Sequence, residues 1–274
     1  MTSDQHEFDP LKFYSSYPSK VIARPGYPAR AQYKSTLLWS LYGKQILNVT
    51  GEIQTYADIG GCFGFGANAL AYQIAREQAC WPDTKVFEMS PDFSKSGKIL
   101  FPNIDFVNED FTKWSGDPNR FDLVSLFDVV EHIPDPEPFL KAVSARTNFA
   151  LLKTPMETTG EWRGSRVPQL QGALHEDGHV NFFDPGPYMQ LLKRSGFEII
   201  EWRLVPSIVP RGEAESILIP EDIPPRSAKR EIDVAKMLRR IIKVPLTLSP
   251  SIFRYTRRIV GGGDHLCLVR SIGA

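Results

Sequence analysis

The 274-residue sequence has only three cysteines, Cys62, Cys80 and Cys267, far apart and with no C-x-x-C pair. An odd, scattered set excludes a disulfide framework and offers no zinc spacing. No apolar run reaches the roughly 18 residues that span a bilayer. The opening MTSDQHEFDP has neither a basic nor an apolar stretch, so no secretory signal is expected. Net charge is missing as well, because 32 Lys+Arg balance 32 Asp+Glu. That balance argues against a general nucleic-acid binder, whose footprint is a basic excess. Internal repeats and low-complexity tracts are also lacking. What remains is a soluble globular chain of a reducing compartment, expected in the cytoplasm. At this length it can bury about three quarters of its unfolded surface without a disulfide or metal staple.

After an aromatic and Pro-rich arm (residues 1–30) and a helical stretch near 29–47, strand and helix patterns alternate. TYADIG (55–60), TKVFEM (84–89), IDFV (104–107), FDLVSLF (121–127), NFALLKTP (148–155, ending at a Pro), FEIIEWRLV (197–205) and DHLCLVRS (264–271) read as strands. Helices are expected at 67–80, from a Ser90 cap, at 136–146 and at 185–195. Near-continuous apolar strands alternating with helices predict a parallel, doubly wound α/β sheet.

The most informative segment runs from Asp58 through Gly60, Gly61, Cys62, Phe63 and Gly64 to Ala67, where a strand gives way to a helix. Ligands of open α/β sheets bind at such a turn. Gly64 to Ala69 also fits G-x-G-x-x-A, and Glu88 follows Gly66 by 22 residues, the spacing of an acid that accepts from ribose hydroxyls. This spacing supports an adenosine-type cofactor without choosing between NAD and others.

Taken with VNEDF (107–111), FDLVSLFDVVEHI (121–133) and HVNFFDPGPYMQLLKRSGFEII (179–200), the segment resembles the class I S-adenosylmethionine-dependent methyltransferases. Their first motif, D-x-G-x-G-x-G, reads here as Asp58 to Gly64, with Cys62 in place of the middle glycine. A small side chain fits there if φ is negative. The resemblance implies a Rossmann-like sheet of seven mostly parallel strands with the last antiparallel, and S-adenosylmethionine as cofactor with S-adenosylhomocysteine as product. It also implies site roles. Gly60, Gly61, Cys62 and Gly64 would border the amino-acid part of the cofactor, with Asp58 at its ammonium. Glu88 would take the ribose hydroxyls, Met89 an adenine face, and Asp110 with the Phe111 amide the adenine edge. Leu126, Phe127 and Asp128 would line the place of methyl transfer.

A hydroxyl acceptor loses a proton on methylation, so a general base helps. His132, His175 and His179 are the candidates. Their packing or loop roles are equally open readings. His175 and His179 are four apart, but Gly178 argues against a helix and no third ligand is evident, so no metal is expected. Residues 156–179 form a long loop carrying Trp162, Arg163 and Arg166, candidates for substrate contact. Residues 226–258 hold ten Lys/Arg against Glu231 and Asp233. This basic helical segment suits a solvated face, or peripheral contact with an acidic membrane surface.

The expected division is an arm and helix (1–50), a cofactor-binding core (51–205), a basic helical insertion (206–262) and a final core strand (263–274). The expected activity is methyl transfer to a small polar acceptor, favouring a hydroxyl of a sugar or related metabolite in a biosynthetic pathway. No nucleic-acid partner is expected, and the sequence leaves the oligomeric state open. A dinucleotide-dependent oxidoreductase and a non-catalytic cofactor-binding scaffold are the alternatives.

Overall fold

Burial on both faces explains why the central strands read as apolar runs. In the computed structural model, which describes residues 26–156, 178–205 and 263–272, helix α1 (Tyr27–Thr50) leads into β1 (Thr55–Ile59) and α2 (Phe65–Gln78). β2 (Asp83–Phe87), α3 (Pro91–Leu100), β3 (Asp105–Val107) and β4 (Phe121–Phe127) follow. A 3-10 turn (Val130–His132), α4 (Pro136–Ala145), β5 (Thr147–Met156), α5 (Pro185–Arg194), β6 (Phe197–Val205) and β7 (Gly263–Ser271) complete the order.

The seven strands form one sheet in the order β3-β2-β1-β4-β5-β7-β6. All pairings are parallel except those of β7, which runs antiparallel to both β5 and β6. Successive residues of each strand feed opposite layers, as the period of 2 requires. Ala57, Val124, Ala150 and Cys267 enter one core with Leu140 and Val143 of α4 and Tyr188 and Leu192 of α5. Their neighbours Tyr56, Leu123, Leu151 and Leu268 enter the other, under Leu38, Tyr42 and Ile46 of α1 and Leu70 and Ile74 of α2. Each buried Val, Leu or Ile among them contributes about 1.5–3 kcal/mol of apolar transfer.

Three local expectations change. β5 does not end at Pro155 but runs through it to Met156. β4 pairs with β5 only as far as Lys153, and Pro155 faces Asp264 of β7 alone. A strand flanked on one side tolerates a missing N–H. α2 starts two residues earlier than predicted, at Phe65, and stops at Gln78. Ser90 does precede α3, but its side chain makes no cap bond. Its backbone N–H instead donates to Glu88 Oε1 at 2.8 Å, fixing that carboxylate beside the helix start.

No helix among the described residues is long and apolar enough to cross a membrane. The arm before residue 26, the loop with Trp162, Arg163, Arg166 and His175, and the basic segment 226–258 lie outside the described residues.

Candidate active site

The carboxyl ends of β1, β2 and β4 meet where the strand order turns back through β1, the place where open α/β sheets bind ligands. The loop after β1 is shaped by close approach. A Cβ on Gly61 would lie 2.6 Å from Asp58 Oδ2 and 2.9 Å from Val86 Cγ1, so only glycine fits over the carboxylate. Gly64 stands just before α2 with φ +83°, and a Cβ there would meet Phe106 at 2.6 Å. Cys62 does not have the negative φ that a side chain favours; it sits at +51°. A side chain in the left-handed region costs about 1–3 kcal/mol and persists where its surroundings impose it. Here the Cys62 N–H donates to Glu88 Oε2 at 3.0 Å, and the side chain packs among Phe63, Phe93, Tyr27 and Phe65.

Asp58 and Glu88 are both buried, 3% and 8% exposed. Asp58 accepts from the Ser125 hydroxyl, which is also 2.7 Å from the Tyr56 hydroxyl. Burial pushes the Asp58 carboxyl up to about 7, the Ser125 bond opposes this, and the nearby Glu88 adds to it. Burial likewise raises Glu88 to about 7 against three backbone N–H donors, those of Ser90, Cys62 and Met89. Met89 itself is 51% exposed at the rim. Asp110 uses Oδ1 to accept from the Thr112 N–H and hydroxyl, at 2.9 and 2.8 Å, closing the turn that follows β3. The Phe111 ring is turned away into the core, edge-on to Phe87 at 4.9 Å.

Asp128, just past β4, is less a free wall residue than the centre of a charge network. It is ion-paired to Lys34 of α1 and to Lys153 of β5, and Lys153 also reaches Asp264 of β7 at 2.8 Å. Burial resists ionisation of Asp128, but the Lys153 and Lys34 ammonium groups outweigh it and hold the carboxyl below its usual range. Asp128 has φ +58°, so two of the three non-glycine residues in the left-handed region among the described residues flank this crevice. Phe127 is partly buried against the core under α1. Sequence reasoning missed Lys34, Lys153, Ser125 and Asp264. A lysine and a serine inside apolar strands were the available signals for Lys153 and Ser125; Lys34, 94 residues from its partner Asp128, offered none.

Of the histidines, the structure brings together His132 and His179, with ring centroids 4.9 Å apart. His175 lies outside the described residues. The segment carrying His179 is stitched to the 3-10 turn: the Val180 and Asn181 N–H groups donate to the Glu131 carbonyl at 2.9 and 3.0 Å, and the Asn181 amide donates to the Ile133 carbonyl. Glu131 is fully buried, and burial followed by the charge on Asp128 pushes its carboxyl well up. One ligand-capable atom from each of Glu131, His132 and His179 falls within 4.8 Å of the others. No third ligand is evident in the sequence for His175 and His179; in space, Glu131 and His132 of the turn after β4 come close to His179.

The sheet order with an antiparallel β7 departs from the 3-2-1-4-5-6 order of dinucleotide-binding sheets. The sequence matches the family Methyltransf_23, described as a methyltransferase domain, over residues 58–201. The match covers more than half of the chain, which belongs to that family: it is a methyltransferase that uses S-adenosylmethionine. The dinucleotide oxidoreductase reading is set aside.

A search of curated protein sequences finds no match. Solved structures share the fold at low identity. A provisionally assigned sarcosine dimethylglycine methyltransferase from Galdieria sulphuraria is 15% identical with a TM-score of 0.55, covering 88% of this chain and 87% of its own. The [4+2]-cyclase SpnF is 14% identical with a TM-score of 0.53, covering 89% and 82%. The N-terminal domain of EvdMO1, in a structure determined in the presence of SAH and D-fucose, is 11% identical with a TM-score of 0.50, covering 88% and 82%.

Proposed function

We propose that this methyltransferase O-methylates a small polar acceptor, a sugar or related hydroxylated metabolite, with Asp58 and Glu88 holding the methyl donor. The observation that carries the acceptor class is the His132–His179 pair beside Glu131, next to the β4 end. Methyl transfer from a sulfonium is an in-line displacement, so the protein's main task is to align donor and acceptor and to exclude water. An amine acceptor brings its own lone pair once neutral; a hydroxyl gains most from imidazoles that take its proton. The D-fucose in the EvdMO1 structure agrees with a sugar acceptor on this fold.

On the donor side, Asp58 meets the ammonium of the cofactor, with Gly60, Gly61, Cys62 and Gly64 letting its amino-acid part approach the backbone. Glu88 has lone pairs left for the ribose hydroxyls after serving the loop amides. Met89 covers the adenine, and Asp110 with the Phe111 N–H reads its edge. Asp128 positions the β4 end through its lysines rather than acting as a base.

The test is mass spectrometry of a polar metabolite extract incubated with the protein and methyl-labelled S-adenosylmethionine. A labelled methyl ether formed together with S-adenosylhomocysteine is the expected product. Label found only on nitrogen or carbon would overturn the O-methyl reading. Asp58→Ala should weaken cofactor affinity more than tenfold, while His132→Ala should lower turnover and leave that affinity intact.

A further inference from the structure

We infer that Glu131, His132 and His179 form a binding site for one divalent transition-metal ion at the acceptor side of the crevice. Two imidazole nitrogens and one carboxylate oxygen make an N2O ligand set, which suits zinc-like ions over magnesium or calcium. The three ligand atoms lie within 4.8 Å of one another. A metal bonded at about 2.1 Å to each would draw them to roughly 3–4 Å apart, a closure within reach of side-chain rotation.

Two independent features point to a ligand there. Glu131 is fully buried, and neither of its carboxylate oxygens has a hydrogen-bond partner among the described residues. Buried carboxylates normally have all their oxygens engaged. The two lysines whose charges act on it, Lys153 and Lys34, are already committed to Asp128 and Asp264. Second, His132 Nδ1 is 3.1 Å from the Gly178 carbonyl oxygen. A carbonyl can only accept, so Nδ1 carries the proton, and in the neutral ring Nε2 keeps the lone pair. Metal-binding histidines are commonly oriented by such a bond from the other ring nitrogen. The backbone bonds from Val180 and Asn181 to the Glu131 carbonyl hold the two ligand segments in register.

Three protein ligands leave coordination positions for a small molecule. With the ion bound, His132 and His179 would serve as ligands and not as bases, and an acceptor hydroxyl placed there would be acidified by the ion, losing its proton to solvent. That use of the site rests on the methyl-transfer reading above; the metal binding does not.

The experiment is calorimetric titration of the chelator-treated full chain with Zn²⁺ and Mn²⁺, alongside a separate titration with S-adenosylhomocysteine. One equivalent of Zn²⁺ bound at micromolar or tighter affinity is expected. His179→Ala and Glu131→Gln should each weaken it at least tenfold while S-adenosylhomocysteine binds as in the parent chain. The cofactor titration also certifies the fold of each variant, and His179→Ala, on a partly exposed residue, keeps the test alive if Glu131→Gln does not fold. Absence of stoichiometric Zn²⁺ and Mn²⁺ binding, or unchanged affinity in a folded His179→Ala variant, would overturn the site. Neither result touches the assignment of the donor site, which stands or falls on the cofactor titration.

Discussion

Lowering the pH from 7.0 to 5.5 should weaken S-adenosylhomocysteine binding well beyond what carboxylates in their ordinary range would cause. Asp58 and Glu88 are each raised to about 7, chiefly by burial. In the ligand-free protein both hold protons that the unfolded chain sheds in the ordinary carboxylate range. Stability of the ligand-free form therefore declines as pH rises from about 4 to about 7, and levels off above. The ligand reverses the preference, since its ammonium and its ribose hydroxyls call for ionised acceptors. With a pKa of 7, a group is about half ionised at pH 7.0 and about 3% ionised at pH 5.5, so affinity falls roughly fifteenfold for one group. If both must ionise, the loss exceeds about a hundredfold, and the pair titrates as a unit rather than as two separate sites. Calorimetry at both pH values, in two buffers of different ionisation enthalpy, gives the affinity and counts the protons released. Asp58→Asn preserves shape and the bond from Ser125, and should remove one group's share of the pH dependence. A dissociation constant steady within threefold between pH 7.0 and 5.5, with no proton released, would refute the assignment of these carboxylates to the donor site.

Two more outcomes follow from close contacts at the same strand ends. Gly61→Ala would place a methyl group 2.6 Å from Asp58 Oδ2; overpacking of this kind costs about 1–3 kcal/mol, and cofactor affinity should fall at least tenfold, which denaturant unfolding and calorimetry would show. Lys153→Met would strip the buried cation from Asp128 and Asp264. Asp128 would keep Lys34, but Asp264 would lose the Lys153 ammonium. Stranding one partner of a buried pair costs about 3–5 kcal/mol, so the melting temperature should drop by roughly 5–9 °C for a chain of this length, and a drop under about 2 °C would refute a stabilising role for Lys153.

Most of the sheet was legible because buried strands announce themselves. A run such as FDLVSLF can be apolar on both faces only with helices above and below, and Val124 and Leu123 indeed enter opposite cores. Asp58 and Glu88 were legible by a different route, since a strand-turn-helix unit fixes the distance between the ends of adjacent strands. What escaped was whatever depends on distant segments meeting. His132 and Gly178 are 46 residues apart, and only the fold shows that their hydrogen bond brings His179 alongside. The φ of Cys62 was not legible, because a side chain there argues for negative φ, whereas the residue keeps the glycine-like turn and its N–H donates to Glu88.

The division of labour within the crevice follows the same line. Asp58, Gly61 and Glu88, which we propose shape the donor side, all lie within the family-matched residues 58–201. Their geometry is local: each is fixed by the end of β1 or β2 and by the loop between β1 and α2. The charge network around Asp128 instead reaches outside that span at both ends, to Lys34 on α1 and Asp264 on β7. Asp128 has a left-handed conformation there, just before the turn that carries Glu131 and His132, and its ion pairs tie that turn to α1 and, through Lys153, to β7. On the proposed assignment, α1 and β7 thus bear on the acceptor side through this network and not through the residues assigned to the donor. Substitutions at Lys34 should accordingly alter turnover or acceptor choice with little effect on cofactor affinity, a separation that binding and activity measured on the same variant would show.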